Sequence, residues 1–499
     1  MEILQTEPRK TSPGYWSFIV AALLAIFYFA TSVYIGSHRL LWIDEVSTVH
    51  VARLPHWTLI WQVLAQGADA MPPAYFIVVR LFDSLFGHTD VAVRLPSALA
   101  MTVGLLVTFD CARRLTDGLH GLIAFSLLTC SLLPYYGFEA RSYGLYFMLA
   151  ALSLWVWTHT KDEKKSSAVV FGAVLFLCVS LHYYAVLCLV PYAVWEILNW
   201  KPWRLPSPKM MGGLLGVFCA LAVHRPLMQG ARSTFPPGVK GLLSLDVLPA
   251  IFAQFFPDGL FLLALVMAWI ALVGREDNIT PVPRMQPGER VGWFFLLIPL
   301  AGYVLAQITD VLHARYLIAT LPGIAVAFSC WLWRHFREAR RVSAGVFLLL
   351  AAFGLARQVR QTRDPERWSP VRPATREVLA LEEALRNDGK QFIAVCDWGV
   401  QMEAPMYSKH PEEYVLLVPE GTDMIRLIRP EMIFARYYPL QFWNLEDFKK
   451  HARETALIPP PRGAPIQHPA FLTALDYLKK AGFHIRTRFA QPLEVIYLE

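Results

Sequence analysis

The stretch PPAYFIVVRLFDSLF, residues 72–86, decides the fold because it sets the direction of every later membrane helix. It is apolar, but it falls short of the roughly 20 residues that a transmembrane helix needs. At helical spacing it has a polar and an apolar face: Arg80, Asp83, Ser84 and Gly87 against Tyr75, Val79, Phe82 and Phe86. The pattern predicts a helix that lies in the membrane interface instead of crossing it.

The composition of the whole chain indicates a polytopic membrane protein. Of its 499 residues, 55% are hydrophobic and only 17% are charged, too few charges for an ordinary soluble protein. The net charge of +7 does not indicate nucleic-acid binding, because the basic residues lie mostly between hydrophobic runs. The seven cysteines form no CxxC motif or Cys/His cluster, so the pattern indicates neither a disulfide framework nor a zinc module.

The hydrophobic runs predict about 11 transmembrane helices. We place them near residues 15–35, 92–112, 119–136, 138–158, 167–182, 183–199, 209–226, 257–273, 291–309, 316–333 and 342–357. The first run is too long for the apolar core of a signal peptide and is expected to be an uncleaved helix. With residues 72–86 left out of the count, all five basic loop clusters fall on the cytoplasmic side, as the positive-inside rule requires. The N-terminus is then cytoplasmic, and the C-terminus is periplasmic.

Two interruptions are expected inside long apolar runs. Residues 168–198 would form a single helix of about 46 Å, too long for one crossing, so the chain should turn at His182, Tyr183 and Tyr184. Pro257 breaks another run, and residues 247–256 before it are expected to form a half-helix on the outer side.

The hydropathy falls after about residue 360, where a small extracytoplasmic α/β domain is expected. The predicted division is therefore a transmembrane domain, residues 1–358, with an outer loop at 36–91 and juxtamembrane helices, and an α/β domain, residues 359–499. Expected strands are 392–398, 414–418, MIRLI and MIFARYY within 424–438, IRTRF and LEVIYL, with a helix in FLTALDYLKKAGF. The domain has no GxGxxG or P-loop motif, so we assign it no nucleotide chemistry.

Three short motifs carry charged groups at predicted outer helix ends, where ionisable residues are functional candidates. Asp44 and Glu45 provide a general base and a second carboxylate that orients an acceptor or holds a cation. Glu139 and Arg141 flank the start of a helix, and Arg315 is suited to bidentate contact with phosphate.

Each motif also has an ordinary structural interpretation. Glu139 and Arg141 would then pair only with each other, Arg315 would reach the lipid headgroups, and His182 would be a residue of the aromatic belt. A metal ion is chemically compatible with Asp44, Glu45, Glu139 and His182, but nothing in their spacing demands one.

The motifs occur in an order that resembles one superfamily. DE is followed by MPPAYFIVVRLFDSLFG, VRLPSALA, YYGFEARSYGLYFMLAALSLW, LHYYAVLCLVPY and HARYLIATLPG. The set is similar to the bacterial members of the dolichyl-phosphate-mannose:protein mannosyltransferase superfamily, which are C-type membrane glycosyltransferases related to the lipid A aminoarabinose transferases. The resemblance covers roughly residues 15–335.

The resemblance implies a polyprenyl-phosphate-linked sugar donor, such as an undecaprenyl phosphate sugar, and a periplasmic active site in the bacterial inner membrane. It assigns the catalytic base to Asp44, with Glu45 beside it, and the donor phosphate to Arg315 and also to Arg94 or Arg141. The substrate cavity would include Glu139, His182, Tyr183, Tyr316, Asp69 and His313. Many relatives carry a polar residue where this chain has Ala70 and Met71, and Asp69 is the expected substitute.

Several questions stay open at the level of sequence. The acceptor is a glycolipid, a polysaccharide or a protein hydroxyl. The donor sugar is a hexose or a pentose. A divalent metal ion is compatible with the candidate residues, but the sequence does not demand one. The main alternative function is a transporter or flippase of lipid-linked sugars, which also combines many helices with intramembrane charges. A membrane-anchored sensor whose α/β domain binds a ligand is a third class.

Overall fold

The computed structural model describes most of the chain and divides it into two compact units. The described residues are 15–160, 164–200, 205–234, 244–273, 282–309, 311–366, 369–371, 373–418, 429–458, 469–480, 485–490 and 493–498. The first unit comprises Met1–Ser37, Arg94–Ala222 and Val239–Asp364, and the second comprises His38–Val93, Val223–Gly238 and Pro365–Glu499.

Helices dominate the described residues. In chain order they are α1 (Tyr15–Ser37), α2 (Ile43–Ala52), α3 (Trp57–Gln66), α4 (Ala74–Phe86), α5 (Asp90–Leu115), α6 (Gly118–Thr129), α7 (Leu133–Tyr136), α8 (Tyr143–His159), α9 (Lys165–Leu181), α10 (Val190–Leu198), α11 (Pro208–Thr234), α12 (Val247–Phe255), α13 (Gly259–Val273), α14 (Pro287–Phe294), α15 (Leu297–Thr309), α16 (Thr320–Phe336), α17 (Arg340–Arg363), α18 (Pro373–Asn387), α19 (Trp398–Glu403), α20 (Arg429–Phe434), α21 (Leu445–His451) and α22 (Pro469–Lys480). Two 3₁₀ segments, Tyr183–Leu189 and Ala314–Leu317, precede α10 and α16.

Several helices of the described chain are long and apolar enough to cross a membrane. There are five of these, namely α1, α5, α11, α17 and the segment Pro287–Thr309, or six if α12 and α13 form one bent span. A multi-pass membrane protein is therefore confirmed. Helical structure also lies at each of the eleven predicted positions, but some of it, such as α6 and α9, is short. The count of eleven crossings stays a prediction.

Both predicted interruptions are present. The backbone of His182 is extended, with φ −158° and ψ 125°, so α9 ends there and the 3₁₀ segment Tyr183–Leu189 follows. The axes of α12 and α13 differ by 66° across the break at Pro257. A proline removes a backbone donor and clashes with the preceding turn, which accounts for the second break.

Side chains of α17 satisfy polar groups within the helical unit. Its Arg357 donates from Nη1 to the carbonyls of Cys130 and Ser131, at 2.9 and 2.7 Å, just after the end of α6. Gln358 donates to the Thr31 hydroxyl of α1 at 2.9 Å. Such bonds matter at membrane depth because lipid supplies no alternative partner.

The helix α4 is present, and the two charged residues of its predicted polar face, Arg80 and Asp83, are paired within the protein. Asp83 is buried and accepts from Arg53 Nε and Nη2, at 3.0 and 2.8 Å. Arg80 donates to the carbonyls of Ala52 and Pro55, each at 3.2 Å, and to that of Leu54. The exposed residues of α4 are Ile77, Leu81, Leu85 and Phe86, together with Ser84 of the predicted polar face. The charged side chains therefore hold the end of α2, because carbonyls at a helix C-terminus need donors.

A six-stranded mixed sheet forms the centre of the C-terminal part of the second unit. The strands are β1 (Phe392–Val395), β2 (Tyr414–Leu417), β3 (Gln441–Trp443), β4 (Thr455–Ile458), β5 (Ile485–Ala490) and β6 (Leu493–Leu498), in the order β3-β2-β1-β4-β6-β5. The first four are parallel, and β6 is antiparallel to both β4 and β5. Successive residues of β1 belong to two apolar clusters, one packed on α18 and the other on α21 and α22, as alternation in a strand requires.

The strands at 392–395, 414–417, 485–490 and 493–498 coincide with predicted strands. Residues 424–428 lie outside the described residues. The prediction of a strand in MIFARYY, residues 432–438, was wrong, because its first three residues belong to the helix Arg429–Phe434. Proline is favoured in the first turn of a helix, and Pro430 stands there. The predicted domain boundary at residue 358 stays a prediction.

Candidate active site

The first turn of α2 gives the two adjacent carboxylates different surroundings. Glu45 is fully buried, and its Oε2 accepts the backbone N–H of Trp42 at 3.2 Å. Asp44 is only half-buried. Both charges lie where the helix dipole and the free N–H groups stabilise anions, which offsets their mutual repulsion. Glu45 therefore caps the helix, and Asp44 is the carboxylate that water or a substrate reaches more easily.

Asp69 belongs to the same neighbourhood of α2. Its Oδ2 accepts from the Ser47 hydroxyl at 3.1 Å, and its Oδ1 accepts the Met71 N–H at 2.9 Å. Ser47 lies about one helical turn after Asp44, on the same side of the helix. The second unit thus brings Asp69 close to the helix that carries the DE pair.

Asp83 forms an ion pair with Arg53 at the other end of α2. Burial raises the pKa of Asp83, but hydrogen bonds from Arg53 and His88 outweigh this effect and hold it below its usual range. Arg53 lies 2.8 Å from the carboxylate and directly follows α2. The charge on Asp83 is therefore retained in the folded protein, and it anchors the C-terminus of α2.

His50 packs α2 against aromatic residues of the C-terminal part. Its ring stacks on Tyr438 at 4.2 Å between centroids and lies 5.2 Å from Phe434. The Tyr438 hydroxyl donates to the His50 carbonyl at 2.6 Å. Burial, aided by the charge of Arg53, lowers the pKa of His50 to about 3. The ring is therefore neutral in the folded state at ordinary pH.

In the first unit, His182 lies within a cluster of tyrosines. Its ring is nearly parallel to that of Tyr146, at 5.4 Å and 8°, and lies 4.8 Å from Tyr316 and 5.8 Å from Tyr143. The Tyr146 hydroxyl donates to the Tyr316 carbonyl at 3.4 Å. The extended backbone at residue 182 places this ring between segments that are far apart in sequence.

One nitrogen of His182 is available to a ligand. Nδ1 accepts the backbone N–H of Tyr184 at 3.2 Å, so in the neutral ring the proton must be on Nε2. Nε2 is buried and has no hydrogen-bond partner among the residues that the structure describes. Because buried donors are normally paired, this nitrogen is suited to hydrogen-bond an acceptor that enters the site.

Positive charge converges on the same cluster. The guanidinium carbon of Arg315 lies 5.5 Å from the Tyr316 ring centroid and 5.8 Å from that of Tyr143. The charges of Arg141 and Arg315 both act on His182. Stacking on aromatic rings holds a guanidinium in place without using its donors, which suits it to phosphate recognition.

The remaining predicted residues have mixed surroundings. Arg94 is buried and donates from Nη1 to the Gly36 carbonyl at 2.5 Å, so part of its guanidinium holds the end of α1. Glu139 is almost fully buried, and its charge and that of Arg315 both act on Tyr136. Tyr183 is half-buried directly after His182. His313 is exposed and packs edge-on against Tyr316 at 5.2 Å.

The sequence did not single out two residues that contact the segment before Asp44. Glu403 and Tyr407 accept the backbone N–H groups of Ile43 and Leu41. They lie more than 350 residues away from α2 in sequence, and no motif or spacing marks them.

The described part of the chain contains no group of three or more His, Cys, Asp or Glu residues that could hold a metal ion. The four residues that the sequence marked as chemically compatible with a metal ion fall in different units: Asp44 and Glu45 in the second, Glu139 and His182 in the first.

The family model of dolichyl-phosphate-mannose-protein mannosyltransferases matches residues 70–227. The sequence resemblance to this superfamily is thereby confirmed. No curated protein sequence matches the chain.

Solved structures show the fold over nearly the whole chain. The crystal structure of ArnT from Cupriavidus metallidurans bound to undecaprenyl phosphate aligns with a TM-score of 0.62 at 12% identity, covering 97% of this chain and 98% of ArnT. The apo form of that protein aligns with a TM-score of 0.63 at the same identity and coverage. At 12% identity these alignments show that the chain shares the fold of ArnT.

Proposed function

We propose that the protein transfers a hexosyl or pentosyl group from a polyprenyl-phosphate-linked donor to a hydroxyl acceptor on the periplasmic side of a bacterial inner membrane. The observation that carries this proposal is the convergence of the Arg141 and Arg315 charges on His182, whose buried Nε2 lacks a partner among the described residues. The fold shared with ArnT, which binds undecaprenyl phosphate in one of its crystal structures, supports a carrier of the same chemical class.

The leaving group determines what the arginines do. When the bond between the anomeric carbon and the phosphate oxygen breaks, the electron pair stays on the phosphate, which is a stable anion. The reaction therefore needs positive charge near the phosphate more than a general acid. Arg315 supplies a bidentate donor pair, and Arg141 and Arg94 add positive charge. His182 donates a hydrogen bond from its Nε2–H to an oxygen of the donor and keeps its proton.

The acceptor hydroxyl needs a base, and Asp44 is the residue for this role. Its carboxylate removes the hydroxyl proton while the oxygen attacks the anomeric carbon on the face opposite the phosphate. One carbon–oxygen bond forms as another breaks, so the anomeric configuration inverts. The glycosylated acceptor, a glycolipid, polysaccharide or protein, and the polyprenyl phosphate then leave.

This mechanism has no step that requires a metal ion, because the guanidinium groups already balance the phosphate charge. Transfer should therefore persist after exhaustive dialysis against EDTA. Loss of activity that returns on adding Mg²⁺ or Mn²⁺ would contradict this part of the mechanism.

The experiment is turnover by purified protein in detergent, where transport across a membrane cannot occur. We expect equal amounts of glycosylated acceptor and free polyprenyl phosphate, with an inverted anomeric centre by NMR. The assay uses undecaprenyl phosphate carrying a hexose or a pentose, with a glycolipid, a polysaccharide or a peptide as acceptor. A flippase would give no product with any of these pairs, although it would move the donor lipid across vesicle bilayers.

A further inference from the structure

We propose that Glu403 and Tyr407 are positioning residues that hold the segment before Asp44 and thereby aim its carboxylate. The proposal rests on the role of Asp44 as the base in the proposed function. It gives the C-terminal α/β part of the chain a task in the reaction, although neither residue touches a substrate.

Glu403 is attached to the first residue of α2. Its Oε1 accepts the N–H of Ile43 at 3.0 Å, and its Oε2 accepts from the Thr375 hydroxyl at 2.6 Å. The side chain is fully buried. The first N–H groups of a helix have no partner within the helix, and a carboxylate is the strongest acceptor that a protein offers them. The bond therefore fixes the backbone immediately before Asp44.

Tyr407 makes a second attachment two residues earlier. Its hydroxyl oxygen accepts the N–H of Leu41 at 2.5 Å and donates to Asp90 Oδ2 at 2.7 Å. Leu41 is itself fully buried. The segment that leads into α2 is thus held at Leu41 and at Ile43. Both bonds are made by side chains of one short stretch, residues 403–407.

The sheet explains why these side chains are well placed. The strand order reverses between β1 and β4, and the carboxyl ends of such strands are where parallel sheets place functional groups. The helix α19 begins directly after β1, and Asp397 caps it by accepting the Gly399 N–H at 2.7 Å. The same helix packs on α2 and ends at Glu403. A rigid β1-α19 unit therefore carries Glu403.

Loss of this attachment should affect the chemical step more than donor binding. A displacement of about 1 Å at a reacting group costs on the order of 100-fold in rate. The residues that we assign to the donor, Arg315 and His182, make none of these bonds. We therefore expect kcat to fall while the KM for the donor stays nearly constant.

The test compares four variants of the full-length protein in detergent. Glu403→Ala should lower kcat by about tenfold or more with donor KM within about twofold of the wild type. Glu403→Gln keeps an acceptor oxygen and should recover kcat to within about threefold. Tyr407→Phe removes only the hydroxyl and should lower kcat several-fold. Glu446→Ala, which alters an exposed carboxylate of the same domain, is the matched control and should leave kcat unchanged.

Deuterium exchange of a peptide covering residues 40–48 provides a readout independent of activity. We expect faster exchange there in Glu403→Ala and Tyr407→Phe, with unchanged exchange in the β1 peptide. Wild-type kcat in both variants, or a Gln variant as impaired as the Ala variant, would overturn the proposal. If Glu403→Ala does not fold, Tyr407→Phe alone decides.

Failure of the proposed function gives a different result. If Asp44→Asn retains turnover, the assignment of the base fails, whatever the kcat of the Glu403 and Tyr407 variants. If Asp44→Asn is inactive while Glu403→Ala and Tyr407→Phe turn over like the wild type, only the positioning proposal fails.

Discussion

Glu45 accepts the backbone N–H of Trp42 at 3.2 Å, three residues before it in the chain. This bond gives the buried carboxylate a structural task at the start of α2. Its neighbour Asp44 is half-buried and closer to water. Glu45 therefore caps the helix, and Asp44 is left for the chemistry. The DE motif alone did not distinguish these two roles.

Glu45→Gln should keep most of the activity, because the amide oxygen still accepts the Trp42 N–H. We expect kcat within about threefold of the wild type and a small fall in the thermal midpoint. Glu45→Ala removes the cap and should cost about 1 kcal/mol of stability. Steady-state kinetics measure kcat, and thermal unfolding measures the stability of the two variants. A Gln variant that is fully folded but inactive would assign the chemistry to Glu45.

Arg315→Ala should raise the KM for the donor by about tenfold or more, because a charge-assisted pair with phosphate contributes roughly 1.5–3 kcal/mol. Arg315→Lys keeps the charge without the planar pair of donors, and its KM for the donor should lie between those of the wild type and Arg315→Ala. Arg363→Ala, at an exposed position at the end of α17, is the control. An unchanged donor KM in Arg315→Ala would remove the phosphate assignment.

His182→Phe should retain the aromatic packing with Tyr146 and lose the Nε2 donor. If that donor binds the sugar phosphate, kcat/KM for the donor should fall about tenfold, the usual loss for one hydrogen bond. The thermal midpoint should change little, since Nε2 has no partner among the described residues. A clear fall in the thermal midpoint with unchanged kcat/KM would instead support a purely structural role for His182.

His50 should make the folded protein sensitive to acid. Its pKa is about 3 when folded, against an ordinary value of 6.5, so between these values only the unfolded chain binds the proton. Stability is therefore present above pH 6.5 and falls by up to about 1.4 kcal/mol for each pH unit below it. His50→Phe keeps the ring contacts with Tyr438. In this variant the thermal midpoint should depend less steeply on pH between pH 6.5 and 4 than in the wild type. The exposed His56→Phe should retain the wild-type slope, and equal slopes in all three proteins would contradict the prediction.

Length and hydropathy were sufficient to predict the short helix at 72–86, the break at His182 and the bend at Pro257. These features depend on local chemistry: too few residues to cross a bilayer, or a missing backbone donor. The orientation of the charged face of α4 was not predictable in this way, because Asp83 is paired with Arg53, which lies 30 residues away.

The contacts around Asp44 and Glu45 also join residues far apart in the chain and could not be predicted from local sequence. The motif and the resemblance identified Asp44 and Glu45, but the bonds from Glu403 and Tyr407 join residues about 360 positions apart. The strands β3 and β4 were missed: β3 has only three residues, too few to show an alternating pattern, and no local signal marks β4. Long-range polar pairing and very short strands have no local signature.

The most direct test of the central claim measures transfer and donor binding together in Asp44→Asn. The amide has nearly the shape of the carboxylate but cannot take the acceptor proton. We predict at least a 1000-fold loss of kcat, at the scale of a removed general base, with donor-lipid affinity within about threefold of the wild type. Turnover close to the wild-type rate in a correctly folded Asp44→Asn protein would contradict the account.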